Sequence, residues 1–109
     1  MILVFLESPY TGDTERNIRY ARACMRDCLR RNESPFASHL LYTQEGVLDD
    51  TDPENRELGI AAAMDWAAKA NKTVVYTDLG ISQGMKYGVE RAEQERRPVE
   101  YRTLEGWQG

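Results

Sequence analysis

Two acidic residues close apolar strands in this chain: Glu7 ends "ILVFLE" and Asp78 ends "TVVYTD". Were these strands neighbours, about 4.8 Å apart, their carboxyls would approach the roughly 5 Å at which an acid and a nucleophile act on one glycosidic bond. Like charges that close raise one pKa and so separate acid from base. The plainer alternative has Glu7 turning to solvent or accepting from a loop N–H, with Asp78 capping its turn. Ser8, Pro9 and Tyr10 follow Glu7 directly. They offer a hydroxyl and an aromatic face to a sugar or base, unless Tyr10 closes the core instead. His39, the only histidine, could serve a phosphate, act as a general acid, or anchor a loop. The stretch "DLGISQGM" carries Gly80, Ser82, Gln83, Gly84 and Met85 into a helix start, where free backbone N–H groups attract an anion or a ribose. Asn17, earlier in the chain, is the helical residue best placed to reach the same spot.

A metal centre is not expected. One histidine without a spaced partner is no metal site, and the acids of "DDTDPE" (Asp49, Asp50, Asp52, Glu54) do not follow a calcium-loop spacing. Acids at a helix start serve the dipole, and in an oligomer this loop could reach over a neighbour's crevice. No cofactor is called for. The net charge of -4 argues against a nucleic-acid backbone binder, which needs clustered Lys and Arg. No apolar run approaches the roughly 20 residues of a membrane span, so the chain reads as cytoplasmic with an intact N-terminus. Its 109 residues make one domain with one core. Cys24 and Cys28 stand four apart on a helical pattern, facing one way as buried thiols and not as a disulfide framework.

The elements that must position these groups alternate between strand and helix. Ile2 to Glu7 is a strand covered on both faces. A first helix, capped by Asp13 or Thr14, carries Ile18, Ala21, Met25 and Cys28 or Leu29 at helical spacing to about Asn32. "FASHLLY" reads as a second strand with His39 at its far end. Asp52 before Pro53 opens a second helix to about Ala70, with Thr51 and Glu54 as a competing capping box. That helix is apolar on more than one side: Leu58, Ala62 and Trp66 form a stripe that Ile60, Ala61, Met64, Ala67 and Ala68 widen, which suggests a homo-oligomer. Thr73 to Asp78 is the third strand, a third helix runs to about Glu95, and Pro98 to Arg102 is the fourth strand. Such alternation predicts a parallel sheet of order 2-1-3-4 with helices on both faces. Its ligand site lies beyond the strand ends, between strands one and three.

The ordered set "SPYTG", "SPFASHLL", "DDTDPENRELG", "VVYTDLGISQGM" and "RRPVEYR" resembles the nucleoside 2-deoxyribosyltransferase-like superfamily, in particular its small phage and bacterial members of unassigned function. The resemblance implies a flavodoxin-like three-layer α/β sandwich, frequent oligomers, and a crevice for a nucleoside- or nucleotide-like molecule. It also implies a glutamate nucleophile on the helix after the third strand, four residues beyond the glycine of the turn. Here that stretch reads Ser82, Gln83, Gly84, Met85 and then Gly88, so the nucleophile position is a glycine. Glu90 cannot substitute, because two residues along a helix rotate it by about 200°. Ser82 stands where the family has a base-orienting aspartate. In compensation, Glu7 stands before "SPY" where many relatives have a small residue.

Three readings follow. Loss of the helix glutamate favours a binding module for a nucleoside- or nucleotide-derived molecule. The resemblance favours an enzyme that cleaves or transfers an N-glycosidic bond with Glu7 or Asp78. The apolar second helix would suit a protein-interaction module.

Overall fold

The N-terminal apolar run becomes the inner strand β1 (Ile2–Glu7) in the computed structural model, which describes residues 1–109. In chain order follow α1 (Thr14–Arg30), β2 (Glu33–Phe36), α2 (Ser38–Leu41), α3 (Pro53–Ala67), β3 (Lys72–Tyr76), α4 (Gln83–Gln94) and β4 (Val99–Arg102). The strands form one sheet of order β2-β1-β3-β4, as the alternation predicts. Every pairing is parallel.

Helix α1 covers one face of the sheet, where Tyr20, Cys24 and Cys28 pack on Val4, Leu6, Val74 and Tyr76. Both thiols are buried and free. On the other face Ala63, Met64 and Ala67 of α3 pack on Phe5, and α4 lies beside α3. The register sets Leu6 opposite Val74 and Glu7 opposite Val75. Odd-numbered residues of β1 and β3 therefore share a face, because side chains alternate along a strand.

Two local expectations change. The second strand is "ESPF", not "FASHLLY", and Ser38–Leu41 folds as one helical turn carrying His39. Pro35 is tolerated because β2 is an edge strand, where a missing N–H breaks no second ladder. On α3, Ala63, Met64 and Ala67 point inward, while Leu58 and Trp66 of the expected stripe remain 60% and 56% exposed. Trp66 nonetheless stacks on Phe36, with centroids 5.1 Å apart. Of the alternative caps, Asp13 accepts from Arg16 N–H, and Asp52 accepts from Glu54 N–H. Thr51 turns back to Asp49 instead.

Across the sheet, Arg102 of β4 reaches Glu33 of β2, with Nη2 to Oε2 at 2.6 Å, and Lys72 joins Glu33 at 3.2 Å and Glu100 at 2.8 Å. Arg102 and Lys72 hold the Glu33 carboxyl below the usual range. Buried pairs of this kind recover their desolvation only when complete, so they favour this register over others. No helix is long and apolar enough to cross a membrane.

Candidate active site

Strand β1 delivers Phe5 and Glu7 to the face covered by α3 and α4. Helix α4 begins there at its N-cap, Ser82, whose hydroxyl accepts from Met85 N–H at 3.3 Å. Met85 and Gly88, three residues apart, are buried on one side of this helix, and Glu90 is exposed on another. Gly88 meets Glu7. A Cβ built on Gly88 would lie 2.6 Å from the Glu7 carboxyl carbon, 3.2 Å from Oε1, and nearer still to Oε2. The strand carboxyl thus occupies the space that any side chain at position 88 would need.

Glu7 is only 9% exposed. Burial pushes its carboxyl up to about 8, and the Arg97 guanidinium offsets this only in part. Arg97 is itself engaged, with Nε 3.0 Å from Thr73 Oγ1 and Nη1 2.6 Å from Glu95 Oε1. At pH 7 Glu7 is therefore chiefly a neutral acid that still holds its proton. Beside it, Ser8 Oγ and His39 Nε2 share a hydrogen bond of 2.7 Å. Burial lowers the imidazole to about 4, so His39 is neutral too. The Tyr10 ring meets His39 edge-on, at 6.5 Å between centroids.

These groups line a cavity of about 220 Å³, below the roughly 300–1,000 Å³ of drug-sized pockets. Glu7, Ser8, Tyr10, His39, Ser82, Gln83, Gly84 and Met85 all border it. Asn17 does not. Its amide is buried and donates to the carbonyls of Tyr10 at 2.9 Å and Thr11 at 3.0 Å, fixing the loop that presents Tyr10. Pro9 and Gly80 also stand outside the lining; Gly80 supplies the positive φ of 86° on which the turn after β3 depends.

Asp78 does not end the third strand as expected: β3 stops at Tyr76, and Asp78 lies in the turn beyond it, on the α1 side of the sheet. The Tyr20 hydroxyl donates to its Oδ2 at 2.5 Å and Leu104 N–H donates at 2.9 Å. The expected Glu7–Asp78 carboxyl pair is therefore not formed: the sheet separates the two groups, and Asp78 ties the C-terminal segment to α1. Parity turns Glu7 toward α3 and α4, and the bonds to Tyr20 and Leu104 hold Asp78 on the α1 side.

Helix α3 and the loop before it supply a further wall, which the sequence motifs do not announce. Leu48, Asp50, Asn55, Arg56, Ile60 and Met64 line the cavity, so Asp50 is the one acid of the "DDTDPE" loop that borders it. A signal was present in Gly59, a glycine inside a helix, where a Cβ would stand 3.2 Å from Leu48 Cδ1. No group of three or more His, Cys, Asp or Glu side chains converges to hold a metal ion.

A family model described as a domain of unknown function, DUF7768, matches residues 2–102. No curated protein matches the chain. Among solved structures, the chain is similar to the 2-deoxyribosyltransferase of Bacillus psychrosaccharolyticus, with 16% identity, a TM-score of 0.66, and coverage of 98% of this chain and 76% of that one. It is also similar to the CMP N-glycosidase BcmB of Clostridium botulinum, with 10% identity, a TM-score of 0.53, and coverage of 95% and 70%. The shared feature at these identities is the fold, a parallel α/β sandwich of the deoxyribosyltransferase-like type.

Proposed function

The chain belongs to the DUF7768 family, and from that starting point we propose that it binds a nucleoside-type molecule over Glu7 and cleaves its N-glycosidic bond. The observation that carries this reading is the exchange between Glu7 and Gly88. A glutamate on the helix after the third strand is what the resemblance calls for, and here the helix yields its space to a carboxyl from β1. The fold relatives, a deoxyribosyltransferase and an N-glycosidase by name, support the same class of chemistry.

One carboxyl suffices for a hydrolytic cycle. The neutral Glu7 acid gives its proton to the base as the C–N bond breaks, and the bonding pair leaves with the base. The resulting carboxylate stabilises the cationic sugar at close range. Water then adds to the anomeric carbon and returns its proton to Glu7. Ser8, held by His39, and the Ser82 turn present hydroxyl and N–H groups to the sugar. Because the protonated form acts, kcat/KM falls as pH rises through about 8.

The second reading is a binder without turnover. It is favoured by the absence of a second buried carboxyl beside Glu7, since Asp78 faces the other side of the sheet. Incubation of the purified protein with nucleosides, deoxynucleosides, nucleotides and NAD-derived compounds separates the two, with chromatography of both the solution and the denatured protein. Free base from the wild type but not from Glu7→Gln supports cleavage. A compound recovered intact from both proteins makes it a binder.

A further inference from the structure

Resting on the functional reading above, we infer that Asp50 determines the substrate class, making the cavity select nucleosides that lack a 5′-phosphate. Arg56 is the only Lys or Arg among the residues that line the cavity. A guanidinium there would be the natural partner of a phosphate. It is not free: Arg56 Nη1 lies 3.3 Å from Asp50 Oδ2.

The surroundings reinforce the effect. A wider hollow adjoins the cavity and shares Tyr10, Thr43 and Asp50 with it; Glu45 and Asp49 border that hollow, which has no basic side chain at all. A phosphate dianion entering from this side meets three carboxylates and one cation that already contacts Asp50. A sugar hydroxyl meets threonines, Tyr10 and the α4 start with no charge opposed to it. The N-terminus of α4 is the one feature that would welcome an anion, and the Ser82 hydroxyl there already takes the Met85 N–H. The remaining N–H groups can serve a hydroxyl as well as a phosphate oxygen.

The test compares deoxyadenosine and deoxycytidine with their 5′-monophosphates, reading binding by saturation-transfer NMR and cleavage by released base. The wild type should favour the nucleosides by about tenfold or more, as expected for one or two screened like-charge contacts. Asp50→Asn frees Arg56 and should shrink or reverse that preference. Arg56→Gln added to Asp50→Asn should remove the gain for the monophosphates, and circular dichroism checks that each variant folds. A wild type that prefers the monophosphates, or an Asp50→Asn preference equal to the wild type's, overturns the assignment of Asp50 and leaves the cleavage reading standing. If none of the four compounds binds or is cleaved, the nucleoside reading of the cavity fails and the assignment falls with it.

Discussion

Replacing Glu7 by glutamine should shift stability relative to the wild type in the stabilising direction, by an amount that grows with pH. In the unfolded chain a glutamate ionises near its ordinary 4.5, whereas in the fold Glu7 keeps its proton up to about 8. Between those values the unfolded state binds fewer protons than the folded one, so stability falls as pH rises, at about 1.4 kcal/mol per pH unit. The accumulated cost is near zero below pH 4.5, about 3 kcal/mol at pH 7, and roughly 4–5 kcal/mol from pH 8 upward, where it levels off. Glutamine has the same shape and no charge to lose, so its stability lacks this term. A buried amide brings a pH-independent cost of about 1–3 kcal/mol if unpartnered. The slope is therefore the quantity to read. Urea unfolding of wild type and Glu7→Gln at pH 5, 7 and 8.5 measures it. A difference in stability that stays flat across that range, or narrows with rising pH, would refute a buried neutral Glu7.

Gly88→Ala puts a methyl where the Glu7 carboxyl sits. Overpacking of about 1–3 kcal/mol should outweigh the roughly 1 kcal/mol that alanine gains in a helix, lowering Tm by a few degrees. In a Glu7→Ala background the same change should raise Tm, and a double-mutant cycle showing no coupling between the sites would contradict the contact. Cleavage should drop about 100-fold in Gly88→Ala if the carboxyl is displaced by about 1 Å. Asp78→Asn weakens the link to Tyr20 and Leu104 and should cost about 1–3 kcal/mol in urea unfolding. Its kcat should stay within about twofold of wild type, since the sheet separates it from the cavity; a loss like that of Glu7→Gln would restore Asp78 as a catalytic group.

The sequence carried the strand order and the cavity's position because both follow from alternation. Four strands with helical crossovers between them leave few parallel arrangements, and the winding reverses beside β1. The β2 segment was misplaced because "FASHLLY" is the more apolar stretch, whereas the edge position of "ESPF" relaxes the requirement for buried side chains and even admits Pro35. The pairing of Glu7 with Asp78 failed for want of register. Spacing between strands is general, but which face each residue takes depends on an offset that turns and packing set. The α3 wall was hidden for a different reason: Asp50 and Arg56 reach the cavity through tertiary folding of a loop whose acids look like ordinary helix-start acids. The role of Gly88 was half legible, since a helix glycine signals close approach without naming what approaches.

The contact between Glu7 and Gly88 also limits how such a site can change over evolutionary time. A chain bearing side chains at both positions would place two groups in one volume, so the two locations for the carboxyl exclude each other. Moving the acid from helix to strand by single substitutions requires an intermediate with glycine on the helix and a small residue on the strand. That intermediate has no acid in this place. Relatives that keep a glutamate on the helix should therefore carry a small residue before "SPY", and the two positions should change together.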